Sequence, residues 1–179
     1  MDFHTHNLNA PAGQAVVNLP LPWTERPELF VPREGVLYSA GLHPWWTADA
    51  NATERIMAAL PRLLVHPQVV ALGECGLDAL RGASLSRQEE LFLKQLELAE
   101  NFSLPVTLHI VKAYDRLLHV CKTFPHTVKW TVHGFRGKPA LARQLLDAGL
   151  DLSFGTRRNE EAFLLTPPSR RHEESDEDY

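Results

Sequence analysis

Six residues of this chain are of metal-ligating type and stand at, or just past, the end of a short apolar run: His4, His6, Glu74, His109, His133 and Asp176. Four of the runs are plain. Phe3 lies between Asp2 and His4, Val69 to Leu72 precede Glu74, Val106 to Leu108 precede His109, and Val128 to Val132 precede His133. A parallel strand that ends in a histidine or a carboxylate is how a barrel of such strands assembles a site on its top face. The pattern therefore points to a metallohydrolase.

His4-Thr5-His6 sets two imidazoles on one side of a strand, because side chains alternate with period two, so both can reach one ion. Glu74 sits in Gly73-Glu74-Cys75-Gly76-Leu77-Asp78, where flanking glycines allow close backbone approach. A carboxylate there can bridge two cations, which an imidazole cannot do, and His109 and His133 can each serve a second cation. Glu74 or Asp176 would take the proton from an attacking water. His43, in Gly41-Leu42-His43-Pro44, also ends a strand and reads as a residue that supports the ligands or contacts phosphate. Asp78 suits orienting the turn or holding a histidine. Cys75 reads as a small buried apolar residue. His66, His119, His126 and His172 are expected in solvent-facing helices or loops and are given no role.

Those ligands need elements to carry them. Strands are expected near Asp2–His4, Gln14–Asn18, Val36–Gly41, Val69–Glu74, Pro105–His109, Val128–His133 and Leu150–Phe154, with a weaker eighth at Arg170–Ser175. Helical signals between them imply crossovers and a parallel sheet. Ser86-x-x-Glu89 reads as a capping box, followed by an apolar row of Phe92, Leu96 and Ala99. A second helix is bounded by Pro139 and Gly149, and others are expected at Thr53–Leu64, Tyr114–Thr123 and Glu160–Leu165. Leu8–Gly13 is too short and too broken by Pro and Gly for a crossover helix. No helix is expected after the last strand. The fold class is thus α/β, a compact (β/α)8 TIM-type barrel lacking some peripheral helices.

At 179 residues, with 44% apolar and 22% charged residues, the chain is expected to be one globular domain over 1–179. No apolar run approaches a membrane span, and no signal segment opens the chain. Two cysteines make no disulfide framework and suit the cytoplasm. A net charge of −4 argues against a protein that coats nucleic acid generally, but not against local phosphate binding. Basic residues do follow successive strands: Arg81, Lys112, Arg136 and Lys138, then Arg157 and Arg158. They form an expected phosphate funnel on the metal face, with Arg81, Lys112 and Arg136, beside His43, taken as substrate contacts. Trp45 and Trp46 could stack an unpaired base. The last ten residues carry five acids.

The motifs His4-Thr-His6, Gly41-Leu-His-Pro44, Gly73-Glu-Cys-Gly-Leu-Asp78, Leu104-Pro-Val-x-x-His109, His133-Gly-Phe-Arg-Gly137 and Ser153-Phe-Gly155 together resemble the TatD-like family of metal-dependent deoxyribonucleases, among the amidohydrolase-type barrels. The tail Glu174-Ser-Asp176 resembles the family's terminal Glu-Thr-Asp. The resemblance implies a two-metal site, with His4, His6, Glu74 and Asp176 on one ion and Glu74, His109 and His133 on the other. It also implies hydrolysis of DNA phosphodiesters, commonly as a 3′-to-5′ exonuclease; single-stranded DNA ends are the expected substrate and a monomer the expected state. The mixed imidazole and carboxylate set suits Zn²⁺ or Mn²⁺, with Mg²⁺ at the more oxygen-rich position. The chain is shorter than typical members, and Arg170-Arg171-His172-Glu173 is a polar strand where the family has an apolar one. A hydrolase of small esters, amides or aminoacyl-linked substrates, or a degenerate non-catalytic member, are the competing readings.

Overall fold

The structure, a computed structural model, describes residues 1–176. Eight strands form one parallel sheet in sequence order: β1 (Asp2–Thr5), β2 (Ala15–Asn18), β3 (Leu37–Ala40), β4 (Val69–Asp78), β5 (Val106–Val111), β6 (Trp130–Val132), β7 (Asp151–Phe154) and β8 (Arg171–Glu173). Parallel neighbours need crossovers, and the main ones are helical: α2 (Ala50–Leu64), α3 (Leu85–Phe102), α4 (Tyr114–Thr123), α5 (Pro139–Asp147) and α6 (Glu160–Leu165). A five-residue α1 (Leu21–Glu25), not expected from the sequence, follows β2. Between β1 and β2 the chain only turns, with Ala10 N–H bonding Asn7 O and Gln14 N–H bonding Pro11 O.

Helix starts follow their caps. The Asp49 carboxylate accepts from the Asn51 and Ala52 N–H groups, so α2 begins at Ala50, before the expected Thr53. Ser84, not Ser86, caps α3, its Oγ accepting from Arg87 N–H; Ser86 lies inside the helix. The core fills the layer between sheet and helices, where Leu60, Phe92, Leu96, Leu117 and Leu145 are fully buried. Each contributes about 1.5–3 kcal/mol of transfer free energy.

The seam between β8 and β1 is built differently. No ladder register joins these strands among the described residues. Instead Ser175 donates through both N–H and Oγ to the Asp2 carboxylate, at 3.0 and 2.6 Å. Asp176 N–H bonds His4 O at 3.2 Å. The polar β8 is held by directed bonds rather than apolar burial. Arg170 Nε pairs with Asp151 at 3.0 Å, and Arg171 donates to Phe163 O while lying over the Phe163 ring. His172 is not a loop histidine: it lies in β8, stacks on Phe3 at 4.6 Å and reaches Asp151. His126 likewise stacks on Trp130, at 4.0 Å, rather than facing only solvent.

Candidate metal centre

Glu74 reaches the centre of the barrel mouth because β4 carries a bulge. Leu72 pairs with Val106 and Cys75 with Leu108, leaving one more residue on β4 than on β5. Two glycines permit this. A Cβ on Gly73 would fall 2.7 Å from Thr107, and one on Gly76 would fall 2.3 Å from His109 O. The bulge turns Cys75 into the apolar layer, where it is fully buried. Asn18 Oδ1 accepts both the Glu74 N–H at 2.9 Å and the Ser39 hydroxyl at 3.0 Å, so β2 and β3 hold the Glu74 backbone.

Around the Glu74 carboxylate, which is 2% exposed, the histidines converge. His4 Nε2 and His6 Nε2 lie 3.1 and 2.9 Å from Oε1. His133 Nε2, His109 Nδ1 and His43 Nε2 lie 2.7, 3.2 and 3.4 Å from Oε2. Asp176 Oδ1 stands 3.8 Å from both His4 Nε2 and His6 Nε2. All six residues singled out as ligands thus gather at one end of the sheet.

Oε1 faces two ring nitrogens, His4 Nε2 and His6 Nε2. A buried carboxylate facing imidazole nitrogens in this way needs a cation or a proton among them. Three groupings have ligand atoms mutually within 4.8 Å: His4, His6 and Glu74; His4, His133 and Asp176; and His43, Glu74 and His109. Such spacing fits donors arranged about an ion at bond lengths of ~2.0–2.2 Å.

His43 differs from the rest of its group. Its Nδ1 accepts the Trp45 backbone N–H at 3.1 Å, so in the neutral ring Nε2 carries the hydrogen and donates toward Glu74. Burial holds the His43 pKa below its ordinary value, and the Glu74 carboxylate only partly offsets this. His43 is therefore placed as a hydrogen-bond donor to the Glu74 carboxylate rather than as a ligand.

Glu174 received no role from sequence, and it is a central support. Its carboxylate accepts from Gly134 N–H and from the Ser153 hydroxyl, and Oε1 lies 3.4 Å from His133 Nδ1. A proton on Nδ1 toward Glu174 leaves the Nε2 lone pair facing Glu74. The tail motif carried the signal for Glu174, and a polar residue closing an apolar strand carried the one for Asn18.

Burial works against charge here and the neighbours overcome it. Desolvation would raise the Glu74 pKa, yet the surrounding imidazoles of His133, His4 and His109 hold it well below the usual carboxylate range. Desolvation would lower the His133 pKa, yet Glu74 and Glu174 carry it well above the usual imidazole value. Each of these groups wants positive charge at the centre.

The centre opens into a cavity of about 1050 Å³. Pro20, Leu21, Pro22 and Trp46 form an apolar side, and Lys112, Arg136 and Arg157 a basic one; His43 lines the cavity as well. Those three basic side chains make no ion pair among the described residues. Arg81 does not line the cavity; its guanidinium lies 4.2 Å over the Trp45 ring. Arg158 is also turned away, paired with Glu160 and Glu173.

A parallel barrel with carboxylates and imidazoles crowded at the C-terminal ends of its strands is a TIM-type barrel with a candidate metal centre at its mouth. Residues 23–171 match the family model described as TatD related DNase, and the chain belongs to that family. It is 37% identical over 140 residues to the 3′-5′ ssDNA/RNA exonuclease TatD of Erwinia amylovora, covering 72% of this chain and 52% of that one. The protein of the same name from Klebsiella pneumoniae is 36% identical over 118 residues, covering 65% and 44%. The chain spans about half the length of the curated relatives it matches. Among solved structures, YJJV, a TatD homolog from Escherichia coli k12, superposes with a TM-score of 0.69 at 27% identity, over 92% of this chain and 67% of that one. A TatD family hydrolase from Entamoeba histolytica, with a TM-score of 0.70 at 20% identity over 89% and 59%, shares the fold.

Proposed function

We propose that this chain is a divalent-metal-dependent nuclease that removes nucleotides from the 3′ ends of single-stranded DNA. The observation that carries the reading is the Glu74 carboxylate, buried among imidazole nitrogens at the floor of a cavity with one basic wall. The name of the relatives in Erwinia and Klebsiella, 3′-5′ ssDNA/RNA exonuclease TatD, supports the same substrate class.

Two divalent ions held here, Zn²⁺, Mn²⁺ or Mg²⁺, would supply an activated water and stabilise charge on the attacking and leaving oxygens. Glu74 would bridge, with His4, His6 and Asp176 on one side and His109 and His133 on the other. His43 would donate to Glu74 and keep the carboxylate oriented. Asp176, whose side chain is 30% exposed against 2% for Glu74, would be the carboxylate to accept a proton from attacking water. Lys112, Arg136 and Arg157 would hold the phosphates of the strand that remains, and Trp46 the base at its end. No helix among the described residues is long and apolar enough to cross a membrane. The free cysteines support a reducing cytoplasm as the setting, and we read the chain as one domain acting as a monomer.

Incubation with a single-stranded oligonucleotide labelled at its 5′ end tests the reading. A ladder shortening from the 3′ end, dependent on added Mn²⁺ or Zn²⁺, is expected. Cleavage of small esters or amides with no action on DNA would replace it with the small-substrate hydrolase.

A further inference from the structure

Asp78 sits beside the metal centre without belonging to it, and its two oxygens are engaged by donors that cannot act otherwise. Oδ1 accepts the Leu80 backbone N–H at 2.8 Å. Oδ2 accepts the Trp45 indole N–H at 2.6 Å. An indole nitrogen and a peptide nitrogen only donate, so Asp78 can only accept from both. The same Oδ2 lies 3.2 Å from His109 Nε2, which must then be a donor as well. With its one neutral-ring hydrogen committed to Nε2, His109 presents the bare Nδ1 lone pair toward Glu74 Oε2, 3.2 Å away.

The loop bearing Asp78 is itself held tightly. Gln88, which is buried, donates to the carbonyls of Asp78, Arg81 and Ala83 and accepts the Asp78 N–H at 2.8 Å. Trp45 is 42% exposed, so its ring contributes little to the core, and the Arg81 guanidinium covers one face. The Trp45 ring stands edge-on to His43 and His109, at 4.8 and 5.6 Å between centroids, and its indole N–H makes the hydrogen bond to Asp78.

We propose that Trp45 is a positioning residue: through Asp78, its indole N–H holds His109 in the tautomer that offers Nδ1 to the centre. Trp45 therefore shapes metal binding rather than stacking a base. The proposal rests on His109 being a ligand, as in the proposed function.

The test compares the wild type with Trp45→Phe, which keeps the ring and removes the N–H, and Asp78→Asn, whose amide cannot accept from both Leu80 and Trp45. Nitrogen NMR of ¹⁵N-histidine-labelled, metal-free protein at alkaline pH reads the His109 tautomer, and competition with a chromophoric chelator reads Zn²⁺ affinity. The wild type is expected to show hydrogen on Nε2. Trp45→Phe should show a mixed tautomer and a weaker Zn²⁺ affinity by about 10-fold, with Asp78→Asn nearer 100-fold, the range for lost outer contacts to a ligand histidine. Hydrogen on Nδ1 in the wild type overturns the proposal, as do unchanged tautomer and affinity in both variants. If the protein binds Zn²⁺ with these differences but leaves DNA intact, the nuclease reading fails and this one stands. If it binds no Zn²⁺, the proposal fails together with the nuclease reading.

Discussion

Ser175 Oγ donates to the Asp2 carboxylate at 2.6 Å, joining residues near opposite ends of the described chain across the one barrel seam that lacks a strand ladder. The next residue, Asp176, then bonds His4 O and stands between His4 and His6. Seam and centre are thus a single construction. Asp2→Ala removes the two hydrogen bonds from Ser175 and one from His4 N–H to a charged acceptor, and should cost about 1.5–3 kcal/mol, against about 1 for Ser175→Ala. The double variant should cost less than the sum, since both delete the same contact. Urea unfolding of the three proteins checks this; strict additivity would mean the contact does not form.

Asp176 depends on that seam for its place. Asp176→Asn should lower metal-dependent cleavage by ~10²-fold or more, because the carboxylate is both a proposed ligand and a proposed proton acceptor. Glu177→Gln and Asp178→Asn, at positions outside the described residues, should leave activity near that of the wild type. Equal mild losses in single-turnover assays of all three would mean that Asp176 has no special role.

The basic wall makes a prediction that activity alone would not. Single-strand binding loses affinity with salt at a slope of about 0.7 per neutralised phosphate. Substituting Lys112, Arg136 or Arg157 by Ala should each flatten the slope by about that amount in fluorescence-anisotropy titrations. Arg158→Ala should not, because Arg158 is already paired with Glu160 and Glu173. A slope indifferent to Arg136 would remove the phosphate wall.

The charges at the centre set opposite pH trends with and without metal. In metal-free protein the His133 pKa is raised, because Glu74 and Glu174 outweigh desolvation. Its contribution to stability is therefore complete below the unfolded value of 6.5 and is lost as pH rises through the raised folded value. Glu74 and Glu174 are depressed, so their contributions are present above the unfolded value of 4.5 and lost as pH falls through their folded values. Metal-free protein should accordingly melt at lower temperature as pH climbs past neutrality. Saturating Zn²⁺ should reverse the alkaline trend, since metal binding must displace the His133 proton. Thermal melts across pH, with and without metal, read both arms; parallel curves would contradict the assignment.

Much of this was legible in the sequence. The ligand positions showed because each needs an apolar run to bury and a strand end to deliver it, as with Val106–Leu108 before His109. The alternation of runs and helical stretches gave the parallel order of the strands. Contacts made by side chains distant in sequence did not show. Glu174 looked like one acid in an acidic tail, and only the fold reveals Ser153, Gly134 and His133 around it. Trp45 looked free to stack a base, whereas its indole N–H is committed to Asp78 and its face to Arg81. The polar β8 looked like a poor strand, because arginines that bond carbonyls on neighbouring elements cannot be told from solvated ones. The helices start at Ala50 and Leu85, ahead of the expected positions, for a local reason: Asp49 and Ser84 cap them.

The central claim is that Glu74 assembles a metal centre that cleaves DNA, and metal content measured together with cleavage tests it most directly. Chelator-stripped protein and its Glu74→Gln variant would be reloaded with Zn²⁺ or Mn²⁺, analysed for bound metal by mass spectrometry, and assayed on single-stranded DNA. About two ions per wild-type chain are expected, with metal-dependent shortening of the strand. The variant should lose metal and cleave at least ~10²-fold more slowly, since a bridging ligand would hold both ions. A Glu74→Gln protein that keeps its metal and cleaves at the wild-type rate would contradict it.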